Sequence, residues 1–581
     1  MPRRKTMVTA STLSLNEQWL WLVENLTPGS IARTTATLGR RVRGPLDLDR
    51  LHACVTELIR RHDTLRTTFE AVDGRLARVV STDPTPEWIW RDFSSEEPES
   101  DRESRALAYM DAERTKQIDI ARGKQTRCMV ARISPTEHLV LFATHHLAVD
   151  AASLVLLEEE LSGLYRDGVP ASAEAPLEPL PYREFIDWQN ETLHGDDPGV
   201  THLTELLRDA DRIDLDAILG PPGAPAQPGY AMTVVPEGFA DRQQAFVEPQ
   251  LVDRIRQLMR TSRCSLYMVL LAALQLTLYL RSGSESFLVR SPSANRTRAQ
   301  HRSMIGSLET QTFVKCSVDD SLTCAALIAD VRGQVLSGLR HQRIPMSLVL
   351  GSVLHRGEAA NTNAALAGGM VQFALFAVGR MADWPADLDV IVCAGSRIGT
   401  ASDFQVFAME EGTRLDGAAP GLVLEANNPG GVYPPESVQD FLGSFRDVLT
   451  AVAEDPDRTV DSLRTVVPGT ARREAEVARA DRAGERPATA GRDAAQIERD
   501  LLRIARSACG NERLAAGESV FADPRAAIDT AVRLVDAING SAELSPLGMT
   551  IADLLAEPTV AGLAALLAER RPRRSEPTPA L

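Results

Sequence analysis

The sequence predicts an α/β protein followed by a small all-α segment. Three observations carry this reading. Runs rich in β-branched and apolar residues alternate with runs of helical periodicity through both halves of the chain up to about residue 465. Two β-rich runs, Cys128–Ile133 and His138–Ala143, flank the turn-like Ser134-Pro-Thr-Glu137, a hairpin signal. Finally, the composition shifts after Asp455-Pro-Asp457, and helical patterning returns only near residue 495.

The elements follow in order. Ser14 and Glu17 form a capping-box pattern at the head of an amphipathic segment, residues 12–26. A strand-like run reaches Val42, and Leu46-Asp-Leu-Asp49 leads into an amphipathic helix through Leu58. The cluster Arg60-Arg-His-Asp-Thr-Leu-Arg66 then fits a solvated helix end whose cations complement the dipole. After the hairpin comes Thr144-His-His-Leu-Ala-Val-Asp150, then Leu154, Leu157, Leu161 and Leu164 at helical spacing, with Ser153 able to cap that helix. In the second half, Leu266–Leu280 reads as a buried helix, too short and interrupted to span a bilayer. Ser286–Arg290, Gln311–Ser317 and Leu388–Val392 read as strands, and Pro435–Ala453 as a helix.

Composition excludes several classes. A length of 581 residues implies several domains, and 44% hydrophobic residues can fill their cores. The net charge of −16 argues against a nucleic-acid binder, which needs a basic face. Seven cysteines without a Cys-x-x-Cys spacing point to a reducing, cytoplasmic setting and away from a disulfide framework. No apolar run follows the basic opening Met-Pro-Arg-Arg-Lys, so no signal peptide is expected. No membrane association is expected either.

His145 and His146 are adjacent on a strand end, so alternation sends them to opposite faces. One should face a cleft and the other should be packed behind it. A zinc site lacks a third ligand at metal spacing. Satisfied core histidines, or a general base His146 with Asp150 fixing the local geometry, both fit these residues.

Six ordered segments resemble the motifs of nonribosomal peptide synthetase condensation domains over residues 10–465. They are Ser14-Leu-Asn-Glu-Gln-Trp-Leu-Trp21, Arg61-His-Asp-Thr-Leu-Arg-Thr-Thr-Phe69, His145-His-Leu-Ala-Val-Asp150, Tyr182-Arg-Glu-Phe-Ile-Asp-Trp188, Asn295-Arg296 with Ile305-Gly-Ser-Leu-Glu-Thr310, and Arg340-His-Gln-Arg-Ile-Pro345. The resemblance implies two lobes, each like chloramphenicol acetyltransferase, opening in a V and joined near residues 175–190. The N-terminal lobe is expected at 10–180 and the C-terminal lobe at 181–468. It implies that His146 deprotonates or orients the nucleophile, that His145 is packed behind it, and that Asp150 is structural and paired with Arg296. Arg66 would support the site. Three departures stand out. Ala151 replaces the glycine that ends the signature, at a cost of roughly 1 kcal/mol or a narrower tunnel. Thr310 replaces an asparagine, and the late segment Val371–Phe376, after an Ala/Gly-rich stretch at 358–369, matches only loosely.

Residues 469–494 read as a solvated linker and 571–581 as a disordered tail. Between them, 495–570 resembles a peptidyl carrier protein through Val520-Phe-Ala-Asp523, Ala531-Val-Arg-Leu534 and Glu557-Pro-Thr-Val560. This alignment puts Ile528 where the family carries its phosphopantetheine serine, so the module is degenerate and binds no cofactor covalently. The expected function is a free-standing condensation enzyme of nonribosomal peptide or hybrid polyketide biosynthesis. It would take carrier-bound acyl thioesters in trans, with the phosphopantetheine arm supplied by those carriers, and join them to an amine or hydroxyl without a metal. An acyltransferase drawing on acyl-CoA or another soluble donor, and a catalytically silent scaffold, are the alternatives.

Overall fold

The structure is a computed structural model. It describes residues 9–26, 35–72, 75–114, 116, 118–170, 179–208, 213–220, 241–356, 371–377, 382–392, 404–410, 421–428, 433–467, 494–541 and 544–568. The Ala/Gly-rich stretch at 358–369, the linker up to residue 493 and the tail at 571–581 lie outside these residues.

The strands, in chain order, are β1 (Thr9–Ser11), β2 (Thr35–Arg43), β3 (Thr67–Val72), β4 (Arg75–Val80), β5 (Glu87–Asp92), β6 (Thr126–Ser134), β7 (Glu137–His145), β8 (Asp241–Val247), β9 (Ser286–Ser293), β10 (Thr310–Ser317), β11 (Val371–Ala377), β12 (Asp389–Val392), β13 (Phe404–Glu410) and β14 (Leu422–Asn428). They form three sheets. A small one has the order β1-β4-β3, a five-stranded one β12-β2-β7-β6-β5, and a six-stranded one β10-β9-β11-β13-β14-β8.

The five-stranded sheet belongs to the first half of the chain except at one edge. There β12, from residues 389–392, pairs antiparallel with β2, Val390 opposite Val42. A boundary at residues 180/181 therefore does not separate all the structure of the two halves. On this sheet β6 and β7 form the expected antiparallel hairpin, Val130 opposite Val140. The helices Leu48–Arg61 and Ala151–Asp167 pack against it, burying Leu51, Val55 and Leu58 with Leu154, Leu157 and Leu161.

The six-stranded sheet carries the larger core. The helix Leu266–Ser282 lies within it, buried from Met268 to Leu280, which explains its nearly continuous apolar sequence. Ser265 caps this helix and Gly283 ends it in the left-handed region that glycine adopts without penalty. Among the described residues no single helix is long and apolar enough to cross a membrane.

The C-terminal segment is a compact helical module. Helices Ala494–Cys509, Ala527–Asn539, Ile551–Ala556 and Val560–Ala568 bury Leu501, Phe521, Leu534, Ile538 and Leu563 among themselves. The module is seated on the larger body, a contact taken up below.

Candidate active site

β7 ends at His145, and the four residues His146–Val149 turn the chain to Asp150 and the helix Ala151–Asp167. His145 is buried, and its Nδ1 accepts the Leu147 amide at 3.0 Å, which ties the imidazole into its own turn. His146 is half-buried, with an Nδ1 that is enclosed and without a partner among the described residues. The two imidazoles thus differ in setting, His146 lying in the turn beyond the end of the strand. The Nδ1 of His145 is used within the turn, whereas that of His146 is not.

Asp150 is 1% exposed, and both of its carboxylate oxygens are hydrogen-bonded. Oδ1 accepts the amide and hydroxyl of Ser153, each at 2.8 Å, and Arg296 Nη2 at 2.9 Å. Oδ2 accepts Arg296 Nη1 at 2.9 Å and the amides of Leu308 and Glu309 at 3.0 and 3.1 Å. Asp150, not Ser153, is the N-cap of the helix that follows. Ser153 instead donates to the cap, and its hydroxyl also accepts the Gly306 amide at 3.1 Å. The carboxylate is thus spent on geometry: it fixes the histidine turn to the segment Met304–Glu309 from the second half of the chain.

Arg296 is aimed by the residue before it. Asn295 is one of two non-glycine residues with positive φ among the described residues, and its Nδ2 donates to the Leu308 carbonyl at 3.0 Å. Asparagine tolerates this conformation better than most residues. Ala151 lies in the first turn of a helix and is not left-handed. The backbone strain expected from replacing glycine there does not arise.

The other motif segments close around the same turn. Tyr182 OH donates to the Ser307 carbonyl at 2.8 Å and lies 2.9 Å from Ser14 Oγ. Gly306 is required beneath that ring, since a Cβ there would meet Tyr182 Cδ2 at 2.2 Å. Ser14 and Glu17 form the expected capping box, at 2.8 and 3.0 Å. The Glu17 carboxylate also pairs with Arg78 Nε at 2.8 Å, both side chains fully buried. Asn16 Nδ2 donates to the Glu309 carbonyl at 2.6 Å and is itself positioned by Gln189. Arg66 lies elsewhere. Its guanidinium donates to the carbonyls of Ile59, Arg60 and Ser81, and it lines a 370 Å³ cavity with Arg60, Arg61 and Ile305 that contains no residue of the histidine turn.

One acidic group escapes sequence reasoning. Glu309, whose amide is held by Asp150, has its carboxyl pushed up to about 7, chiefly by burial, against the downward pull of His146. A carboxylate directly after the apolar-and-small run Ile305–Leu308 was the available signal. Among the described residues no group of three or more His, Cys, Asp or Glu is arranged to hold a metal ion.

Residues 12–473 match the family model described as Condensation domain. The chain is similar to the PF 1022-synthetase of Rosellinia sp., 26% identical over 424 residues, covering 72% of this chain and 12% of that protein. Of the first three curated relatives it spans only 3–12% of their lengths. By structure it resembles the first condensation domain of the calcium-dependent antibiotic synthetase in complex with a substrate analogue, with a TM-score of 0.61 and 18% identity over 78% of this chain and 98% of that one. It also resembles holo-AB3403, a four-domain nonribosomal peptide synthetase bound to AMP and glycine, with a TM-score of 0.64 and 17% identity. That second likeness covers 90% of this chain and 38% of the synthetase, so it takes in residues beyond the family match.

Proposed function

The chain belongs to the condensation-domain family, and from that membership we propose that it joins a carrier-bound acyl thioester to an amine nucleophile, with a hydroxyl as the second choice. Condensation domains form amide and ester bonds from substrates held on carrier proteins. The observation that carries the reading here is His146, a half-buried imidazole with an enclosed, unpartnered Nδ1, presented by a turn that Asp150 and Arg296 lock to the second half of the chain.

The nucleophile attacks the thioester carbonyl, a C–N bond forms and the C–S bond breaks. The proton displaced from the nitrogen passes to His146, which returns it to the departing thiolate as the carrier's free thiol forms. Positioned proton transfer of this kind contributes about 10²–10⁴-fold to rate. The Glu309 carboxylate, coupled to His146, stabilises the imidazolium that the transfer creates. The thioester is already activated, so the reaction consumes no nucleotide. The phosphopantetheine arm belongs to the donor's carrier and is not a group of this chain, since Ile528 offers no hydroxyl to bear one.

The test is turnover by the purified full chain with acyl groups offered on a holo-carrier and, separately, on coenzyme A. Product from the carrier thioester supports the proposal. Equal rates from coenzyme A would assign the chain to soluble donors, and no product from either would leave a scaffold.

A further inference from the structure

The C-terminal module meets the body through a defined seat. On the module side it uses Ser519–Ala526 and the first turn of the helix Ala527–Asn539. On the body side it uses the helix Met346–His355, Asn190 and the helix Leu15–Leu26. Ser519 Oγ donates to the Leu354 carbonyl at 2.7 Å, and His355 Nδ1 lies 2.8 Å from the Phe521 carbonyl oxygen. The Arg525 guanidinium donates to both the carbonyl and the side-chain oxygen of Asn190. Gly351 makes room for the contact, since a Cβ there would meet the Pro524 carbonyl oxygen at 1.9 Å. Ile528 is 4% exposed and shares one buried cluster with Leu22, Leu350 and Leu354, and Trp19 and Trp21 pack against that cluster.

Geometry gives this seat a meaning. A carrier must turn its arm-bearing residue toward the enzyme, or the acyl group at the arm's end stays outside. In this module, which resembles a carrier, that position is Ile528, and it is buried in the cluster that module and body share. The helix Leu15–Leu26 runs from the seat to the site: Trp19 and Leu22 touch the module's cluster, while Asn16 holds the Glu309 carbonyl beside Asp150. Asn16 and Leu22 are only about 9 Å apart along the helix axis. The structural likeness to the four-domain synthetase also reaches past the condensation match.

We propose that the module permanently occupies a carrier-docking seat of its own body, so that the nucleophile reaches His146 as a free small molecule and only the acyl donor comes on a carrier. This rests on the condensation reading above. The assignment of the closed seat to the nucleophile follows from chemistry. The acyl group needs its thioester to be reactive, whereas an amine or hydroxyl attacks without any carrier linkage.

The experiment uses the full chain, with alaninamide and the alanyl thioester of a holo-carrier as paired acceptor probes. Wild type should use the free amine at least about ten-fold better at equal concentration, a difference of about 1.4 kcal/mol. Hydrogen exchange should show protected amides at 346–355 and 519–531. Gly351→Ala adds a good helix former on the body side, and its Cβ collides with the Pro524 backbone across the seat. It should deprotect 519–531 and raise use of the carrier-bound probe about ten-fold. Arg525→Glu should do the same from the module side. Equal or better use of the carrier-bound probe by wild type, or rapid exchange at the seat, would overturn the proposal. If no acceptor yields product, the condensation reading fails, while the exchange data still decide whether the seat is occupied.

Discussion

Arg296 grips both carboxylate oxygens of Asp150 at 2.9 Å, across 146 residues of chain, and the pair is nearly dry. Breaking one side of such a pair leaves a buried charge uncompensated, at about 3–5 kcal/mol. Asp150→Asn should therefore lower the melting temperature sharply, and Arg296→Leu likewise. A double Asp150→Asn, Arg296→Leu variant should be less destabilised than the sum of the two, as thermal denaturation of all three will show.

The two imidazoles should separate cleanly. His146→Ala should cut kcat by about 10²–10⁴-fold with little change in melting temperature. His145→Ala removes the acceptor of the buried Leu147 amide and should cost about 1–3 kcal/mol of stability. Paired kinetics and calorimetry check the assignment. A rate loss at constant stability for His145→Ala would reverse it.

Glu309 predicts a pH dependence. Its carboxyl titrates near 7 in the folded protein, above its ordinary value of 4.5. Ionisation places a negative charge beside His146 and favours the imidazolium, so kcat should rise as pH passes through about 7. Stability should run the other way: the folded state holds this proton more tightly than the unfolded one. The contribution is complete below about 4.5 and lost as pH rises to about 7. Glu309→Gln should flatten both profiles over that window, which pH-rate and pH-melting curves will read.

Incubation of the full chain with a phosphopantetheinyl transferase and coenzyme A should leave its intact mass unchanged. Ile528 has no hydroxyl and is buried. A mass gain on a peptide from 520–540 would remove the reading of this module as a silent carrier.

Local patterns made much of the architecture legible in the sequence. The hairpin, the capping box at Ser14 and Glu17, the buried helix at Leu266 and the pairing of Asp150 with Arg296 each rest on a spacing or an ordered motif. Contacts that depend on distant residues escaped it. The role of Ser153 changed because Asp150 occupies the cap and leaves the serine to reach Gly306. Glu309 is unremarkable until folding partly buries it and sets it beside His146. Nothing in the spacing of Arg66 shows that backbone carbonyls consume its donors.

The pairing of β12 with β2 also bears on how the chain reaches this state. Until residue 392 has left the ribosome, one edge of the first sheet is bare, with the backbone groups of Arg40 to Arg43 open to any passing strand. The sheet is completed by a contact some 350 residues long in sequence, and such contacts form slowly. Arg40, Arg41 and Arg43 line that edge, and like charges on a neighbouring nascent copy would repel. In the finished protein β12 covers that edge, and Glu158, Glu137 and Asp389 pair with the three arginines.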